Sequence, residues 1–386
     1  MEYRRFGKTN KSISVITLGG MRFIHGDDDP RDQIPDDTLE QCTYAVKRAF
    51  ECGINHIETA HGYKKSEHAL GKALNEILKI NRDNYYLMTK GAPRTAGETR
   101  KLVEDQLGAL KTDYFDFYAW HGINNWDRFN MACSKNGPIH ELLRLKEEGL
   151  IKHLGFSTHS RMELIIKCIE TGMFEFVNLH YYYFFQRNFA AIALAQSKDM
   201  GVFIISPNDK GGQLFNPPAK LKKLTHPLTP IQWNARFCLS NPAIHTLSFG
   251  ITDPDHFDEI PGIFPSAIPL GSADKKILYN LENQKLLDQY ADYDGYDLTD
   301  DPSGINIPEV LRLRKLWKCY DMIDFCKYRY NLFEEHHHWF PGKLADKENV
   351  EKIDMSRVPK NIPLVELLLE SHNAFFNQNN SNLQYI

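Results

Sequence analysis

Gly53-Ile-Asn-His-Ile-Glu-Thr-Ala-His-Gly-Tyr-Lys-Lys-Ser-Glu-His-Ala-Leu-Gly71 decides how the chain folds. A short apolar run, Ile54 to Glu58, has strand character and ends on a carboxylate. A polar loop carrying Tyr63 follows, and a helical pattern opens near Ser66 and runs to about Leu78. This is one β-then-α unit with a carboxylate and a phenol at the junction.

The same rhythm extends in both directions. Upstream, Val15 to Gly19 reads as a strand, and Asp37-Thr-Leu-Glu40 has the form of a capping box opening a helix through Ala49 that stops at Gly53. Downstream, strands are expected at Tyr85–Lys90, Phe115–Trp120, His153–Phe156, Phe176–His180, Val202–Ile205 and His245–Phe249. Helical stretches follow them near Glu98–Leu110, Ile139–Glu148, Met162–Glu170, Phe189–Lys198, Pro230–Leu239 and Pro254–Ile260. Eight such units in succession fit a closed (β/α)8 (TIM) barrel, and a doubly wound open sheet is the competing arrangement. Periodicity alone does not separate the two. No G-x-G-x-x-G follows the first strand, which argues against a Rossmann nucleotide site.

Barrel enzymes present reactive groups where strands end and βα loops begin. Glu58 ends the second strand, Tyr63 lies in the loop after it, Lys90 ends the third and His121 follows the fourth. The chemistry requires these types. Hydride delivery to a carbonyl creates an alkoxide that must be protonated or stabilised as it forms. A phenol with pKa about 10 needs a neighbouring cation to become a competent acid. Lys90 would supply that cation, Glu58 would keep it charged and oriented, and His121 would hold the substrate oxygen. A lone tyrosine, lysine or histidine at such a position is more often structural; their joint placement carries the functional reading.

The 53–71 segment resembles the signature of the aldo/keto reductases, in which an acidic residue, Thr-Ala, a Tyr five positions on, Ser-Glu and Leu-Gly recur. Leu87-Met-Thr-Lys90 and Tyr114-Phe-Asp-Phe-Tyr-Ala-Trp-His121 are similar to that family's Lys and His segments, and the resemblance covers about residues 3–260. One departure is Glu58, where most of the family has Asp. The extra methylene displaces the carboxylate by about 1.5 Å unless the backbone adjusts. The resemblance implies catalytic roles for Tyr63, Lys90, His121 and Glu58, and an NADP or NAD cofactor at the C-terminal rim.

It also implies where that cofactor lies. Ser157, in Gly155-Phe-Ser-Thr-His159, and Asn178 match positions that hold the nicotinamide carboxamide, with Thr158 replacing the more usual Asn. Ser206-Pro-Asn-Asp-Lys-Gly-Gly-Gln-Leu214 looks like the loop over the pyrophosphate, assigning Ser206, Lys210 and Gly212. Ile205 stands where a large ring commonly stacks on the nicotinamide. Gly250, Thr252 and His256 resemble the last loop and helix start, where free N–H groups would suit an anion at the adenosine end. No Arg or Lys for a 2′-phosphate occurs in that segment, so His256 is the nearest candidate there.

The pattern changes near residue 263. The expected organisation is a barrel over 1–262, a connecting loop region over 263–308 and a helical C-terminal extension over 309–386, with one long helix from Glu309 to Phe333. The flanks Trp339-Phe-Pro-Gly342 and Pro359 to Leu368 look like those of a ferredoxin-like tail found in part of the family. At the cluster spacing, however, stand Glu348, Glu351, Asp354 and Val358, so no iron–sulfur cluster is expected. His336-His337-His338 reads as a turn rather than a metal site, and no metal is expected.

Bulk properties narrow the partners. A net charge of -4 and no long basic stripe give no nucleic-acid footprint. No run is apolar enough to span a bilayer, and the polar N-terminus has no signal-like core. The seven scattered cysteines contain no C-x-x-C, and Cys319 and Cys326 stand two helical turns, about 10 Å, apart if that segment is helical. A cytoplasmic protein acting on a small-molecule carbonyl is expected, with protein partners undefined. Two rival functions fit the same barrel: a cofactor-binding sensor or interaction subunit in which Glu58 impairs turnover, and an isomerase or lyase using Lys90. Trp120, Trp126, Tyr181, Tyr182, Phe184 and Phe185 would line an apolar pocket or serve as packing.

Overall fold

A computed structural model describes residues 1–23, 30–251, 253–334 and 340–377. It resolves the choice between open sheet and barrel. After a short antiparallel hairpin, β1 (Tyr3–Arg5) with β2 (Ser12–Ser14), eight strands form one closed parallel sheet. They are β3 (Ile16–Gly19), β4 (His56–Glu58), β5 (Tyr86–Gly91), β6 (Phe115–Trp120), β7 (Ile151–Ser157), β8 (Phe176–Leu179), β9 (Gly201–Ile204) and β10 (Thr246–Phe249), and β10 closes on β3. Each strand is followed by at least one helix, as the alternating pattern predicts. The register sets Gly19 beside Glu58 and Ser157 beside Asn178 toward the C-terminal ends of their strands, with Glu58 also beside Met88 in the middle of β5.

The N-terminal end of the barrel is plugged by the hairpin, which the sequence reading did not anticipate. Phe6 is fully buried among Met88, Phe117, Phe176 and Phe203. Its ring lies 5.2 Å from Phe117 edge-on and 5.5 Å from Phe176. Gly7 (φ +52) permits the turn, since a Cβ there would sit 2.4 Å from Gly201 N.

Several local expectations are revised. The first barrel helix spans Asp36–Glu51 with Pro35 at its N-cap and no side-chain cap; Asp37 instead accepts from the Thr38 N–H at 2.6 Å, so the capping box does not form. The helix Ser66–Lys72 continues as a π-helical turn, Ala73–Ile77. The single long helix expected over Glu309–Phe333 is two, Ile307–Tyr320 and Ile323–Tyr330. Asp321 breaks it by taking the left-handed conformation (φ +58) at the C-cap.

The chain divides into two compact units, Met1–Gly211 with Ile231–Leu270, and Gly212–Pro230 with Gly271–Ile386. The segment expected as connecting loop contains the helix Ser272–Gln284 and falls mostly in the second unit. That unit also takes in residues 212–230. Leu221, on the helix Ala219–Thr225, is fully buried, and Lys220 approaches Asp321 at 3.7 Å. Its helices are cross-linked by Arg314, which pairs with Asp288 and with Glu370 (3.0 Å). Trp317 packs edge-on against Phe375. Among the described residues, no helix is long and apolar enough to cross a membrane. The triple histidine and Trp339 lie outside the described residues.

Candidate active site at the C-terminal rim of the barrel

The ends of β4, β5 and β6 bring together the four residues expected to carry chemistry. Lys90 is buried at the end of β5, and its ammonium contacts Glu58 Oε2 and donates to the Thr59 carbonyl at 2.7 Å. The other carboxylate oxygen of Glu58 accepts from Ser248 Oγ at 2.9 Å. The extra methylene of Glu58 therefore does not prevent the pairing with Lys90. Gly19 makes the room, because a Cβ there would come within 3.2 Å of Glu58 Oε1 and 2.8 Å of Ser248 Oγ.

Tyr63 sits over this pair. Lys90 Nζ lies 4.9 Å from the centre of its ring, so the cation faces the ring rather than hydrogen-bonding the hydroxyl. The Tyr63 hydroxyl makes no hydrogen bond among the described residues. Burial, reinforced by the Glu58 charge, pushes its phenol well above the usual 10. The His121 ring meets Tyr63 edge-on, with centroids 5.9 Å apart. Burial, followed by the positive charges of Lys90, Arg128 and Lys210, lowers His121 to about 3. His121 is thus a neutral imidazole at physiological pH, with one ring N–H available to donate.

Residues expected to hold a cofactor fall into two groups. At the carboxamide position, Asn178 is fully buried on β8, and its amide donates to Met88 Sδ at 3.4 Å. Its Oδ1 is buried without a partner. Ser157 Oγ accepts from Gly122 N at 3.0 Å and retains its own proton to donate. Thr158 turns away, donating to the Ile123 carbonyl at 2.7 Å. Ser206 holds a left-handed backbone (φ +48) and accepts the Lys210 N–H at 3.1 Å, winding the loop tightly after β9. Lys210 is buried, and its charge reaches His121. Ile205 is part of the barrel core cluster.

At the far end the expectations change more. Gly212 belongs to the second unit, and what its missing Cβ admits is the Met322 methyl, 1.9 Å from where a Cβ would stand. Thr252 lies outside the described residues. The stretch Pro254–Asp258 is a 3-10 turn whose N-terminus is already capped by Asp253, whose side chain accepts from Asp255 N at 3.0 Å. Its N–H groups are therefore less open to an anion than the helix reading implied. His256 is half-buried, with burial lowering its pKa. A cation does reach this end: the Arg22 side chain lies against Gly250, whose Cβ would be 2.8 Å from Arg22 Cδ, and it pairs with Asp209.

Sequence reasoning missed Ser248, Arg22 and Asn208. Asn208 is buried with neither amide atom hydrogen-bonded among the described residues, a costly condition unless a ligand completes it. Its place in the loop after β9 was the available signal. Ser248 and Arg22 gave none, because they reach the site only through closure of the barrel. The aromatic residues expected around a pocket mostly pack: Trp120 is fully buried with its N–H on Pro93 O, and Tyr181 stacks on Phe237 at 6.0 Å. Tyr182, Phe184 and Phe185 are also buried, while Trp126 is exposed.

With a parallel barrel and a Tyr–Lys–Glu–His cluster at its rim, comparison with known proteins is informative. Residues 15–216 match the aldo/keto reductase family model, and the chain belongs to that family. In sequence it is 30% identical over 145 residues to the methylglyoxal reductase DkgA of Escherichia coli K12, covering 36% of this chain and 50% of that protein. It is 31% identical over 154 residues to D-arabinose 1-dehydrogenase of Saccharomyces cerevisiae, covering 38% and 43%. The chain thus spans about half the length of these relatives. The barrel resembles solved structures, among them the holo form of an aldo-keto reductase from Bacillus halodurans (TM-score 0.58, 22% identity, 72% of this chain and 96% of that one). The aldo/keto reductase of Brucella melitensis is comparable (TM-score 0.56, 22% identity, 72% and 98%).

Proposed function

We propose that this chain is an NAD(P)H-dependent reductase converting an aldehyde or ketone to an alcohol. The observation that carries the reading is a phenol whose hydroxyl makes no hydrogen bond among the described residues, over a buried ammonium that is itself anchored by a carboxylate. When bound, a nicotinamide cofactor supplies a hydride to the carbonyl carbon. Tyr63 Oη then donates its proton to the oxygen as negative charge develops there, and Lys90 stabilises the resulting phenolate. Glu58, held by Ser248, fixes the position of Lys90. Neutral His121 donates to the same oxygen and sets its position, which is the arrangement expected of preorganised oxyanion stabilisation.

The chain offers fitting donors and acceptors for such a cofactor. Asn178 Oδ1 lacks a hydrogen and the Ser157 hydroxyl has one to give, complementary to the NH2 and C=O of a carboxamide. Asn208 and Lys210 would serve the phosphates. Arg22, beside Gly250 and His256, supports NADP over NAD: it is the cation that the last loop lacks, and a 2′-phosphate would take the place of its Asp209 partner. The free thiols of all seven cysteines accord with a reducing compartment such as the cytoplasm.

The direct test is loss of NADPH or NADH absorbance with a panel of aldehydes and ketones. Tyr63→Phe should abolish turnover while cofactor binding persists. Full activity in that variant would remove Tyr63 as the acid. Cofactor binding by the native chain without turnover of any carbonyl would favour a sensor or interaction subunit instead.

A further inference from the structure

Arg128 stands next to the reacting cluster with no acidic partner among the described residues. One terminal nitrogen donates to the His121 carbonyl at 3.0 Å, and its guanidinium carbon lies 5.0 Å from the centre of the buried Trp120 ring. Its Nε is buried and finds no acceptor among the described residues. No acid among them pairs with it, and its charged neighbour is a second cation, Arg94. The acids nearest in sequence offer no relief. Asp127 is exposed, and Glu98 accepts from the Arg94 backbone N–H at 2.8 Å.

A half-buried guanidinium without a counter-ion is costly, and an unsatisfied buried N–H adds to the cost. The other leading charges that act on His121, those of Lys90 and Lys210, are positive as well. Lys90 already has its carboxylate in Glu58, whereas Arg128 has none among the described residues. The contact with Trp120 and the bond to the His121 carbonyl hold the guanidinium in place, and its planar fork suits recognition of an oxyanion.

We propose that the carbonyl substrate carries a carboxylate, which Arg128 binds with Arg94 beside it, so that the chain reduces aldehydo- or keto-acids. The inference rests on the reductase reading and names its substrate class. A charge-assisted hydrogen bond of this kind favours an acid over its neutral counterpart by about 10- to 100-fold.

Succinic semialdehyde and butanal share a four-carbon chain and differ in the carboxylate, so the ratio of their kcat/KM values isolates the contact. In the native protein the ratio should favour the semialdehyde by about 10-fold or more; in Arg128→Gln it should approach 1, and Arg128→Lys should retain part of it. Arg128 acting only as a clamp on the His121 carbonyl would lower both substrates together and leave the ratio unchanged, which would overturn the proposal. Equal use of the two aldehydes by the native protein would also overturn it while leaving the reductase reading intact. Calorimetric titration with succinate reads the site without turnover. Succinate binding that succinamide lacks and Arg128→Gln loses would support the anion site even were no carbonyl reduced. Absence of both binding and preference would end the proposal.

Discussion

Gly19 and Glu58 are neighbours across β3 and β4, and the bare α-carbon of Gly19 is what admits the longer carboxylate. A Cβ at Gly19 would crowd both Glu58 Oε1 and its partner Ser248 Oγ. The glutamate and the glycine therefore form one device, and the pair should be energetically coupled. Gly19→Ala is expected to destabilise the native chain by about 1–3 kcal/mol through overpacking. The cost should be smaller in a Glu58→Asp background, where the shorter carboxylate leaves room. A double-mutant cycle by urea denaturation reads the coupling directly, and strict additivity would disprove it.

Glu58→Gln leaves Lys90 buried without its counter-charge. Breaking a buried pair in this way costs about 3–5 kcal/mol, so the variant should unfold at markedly lower denaturant concentration.

The pH profile of reduction follows from the shifted groups. Tyr63, raised well above 10, stays protonated through ordinary alkaline assay conditions. His121, lowered to about 3, stays neutral. The turnover rate should thus be flat between about pH 5 and about pH 9 as far as these two groups are concerned. A limb with midpoint near neutrality that His121→Asn abolishes would contradict this account.

Stability should fall with acid for a definable reason. Burial holds His56, inside the barrel, at about 3, and holds His245 at about 4. In the unfolded chain both take up a proton near pH 6.5, so the unfolded state binds more protons between that value and the folded pKa. Their contribution is fully present above about pH 6.5 and is lost as pH falls toward 4 and 3, at up to about 1.4 kcal/mol per pH unit for each group. The slope of unfolding free energy against pH should be shallower in His56→Asn. An unchanged slope would show that His56 does not titrate on unfolding.

Asn178→Ala tests the carboxamide seat. Its Oδ1 has no partner among the described residues to lose, but the bond to Met88 Sδ and buried volume go, so the apo protein should weaken by about 1–3 kcal/mol while cofactor affinity falls about 10-fold. Unaltered affinity would place the nicotinamide elsewhere.

Much of the site was legible before any coordinates. Alternation of short apolar runs and helical stretches implied eight βα units, and the ends of three of those runs carry Glu58, Lys90 and His121. Side chains at strand ends are placed by period and register alone, so their convergence could be anticipated. The break at Asp321 could not, because an αL residue inside an amphipathic pattern leaves no trace in its periodicity. The hairpin was equally hidden: three-residue strands carry too little alternation to be read, although Phe6 completes the floor of the barrel.

The sequence by itself determined the parallel α/β rhythm, the membership in a recognisable family pattern and the identity of the four rim residues, because these depend on local period and on chemistry at fixed spacings. Only the tertiary structure decided that the sheet closes, since closure is the pairing of β10 with β3 across some 230 residues of chain. Closure in turn brought Ser248 to Glu58 and Arg22 to Gly250, and it showed how Gly19 accommodates the extra methylene. That no described acid pairs with Arg128 was likewise invisible in one dimension, because the presence of a counter-ion is a property of the space around a side chain.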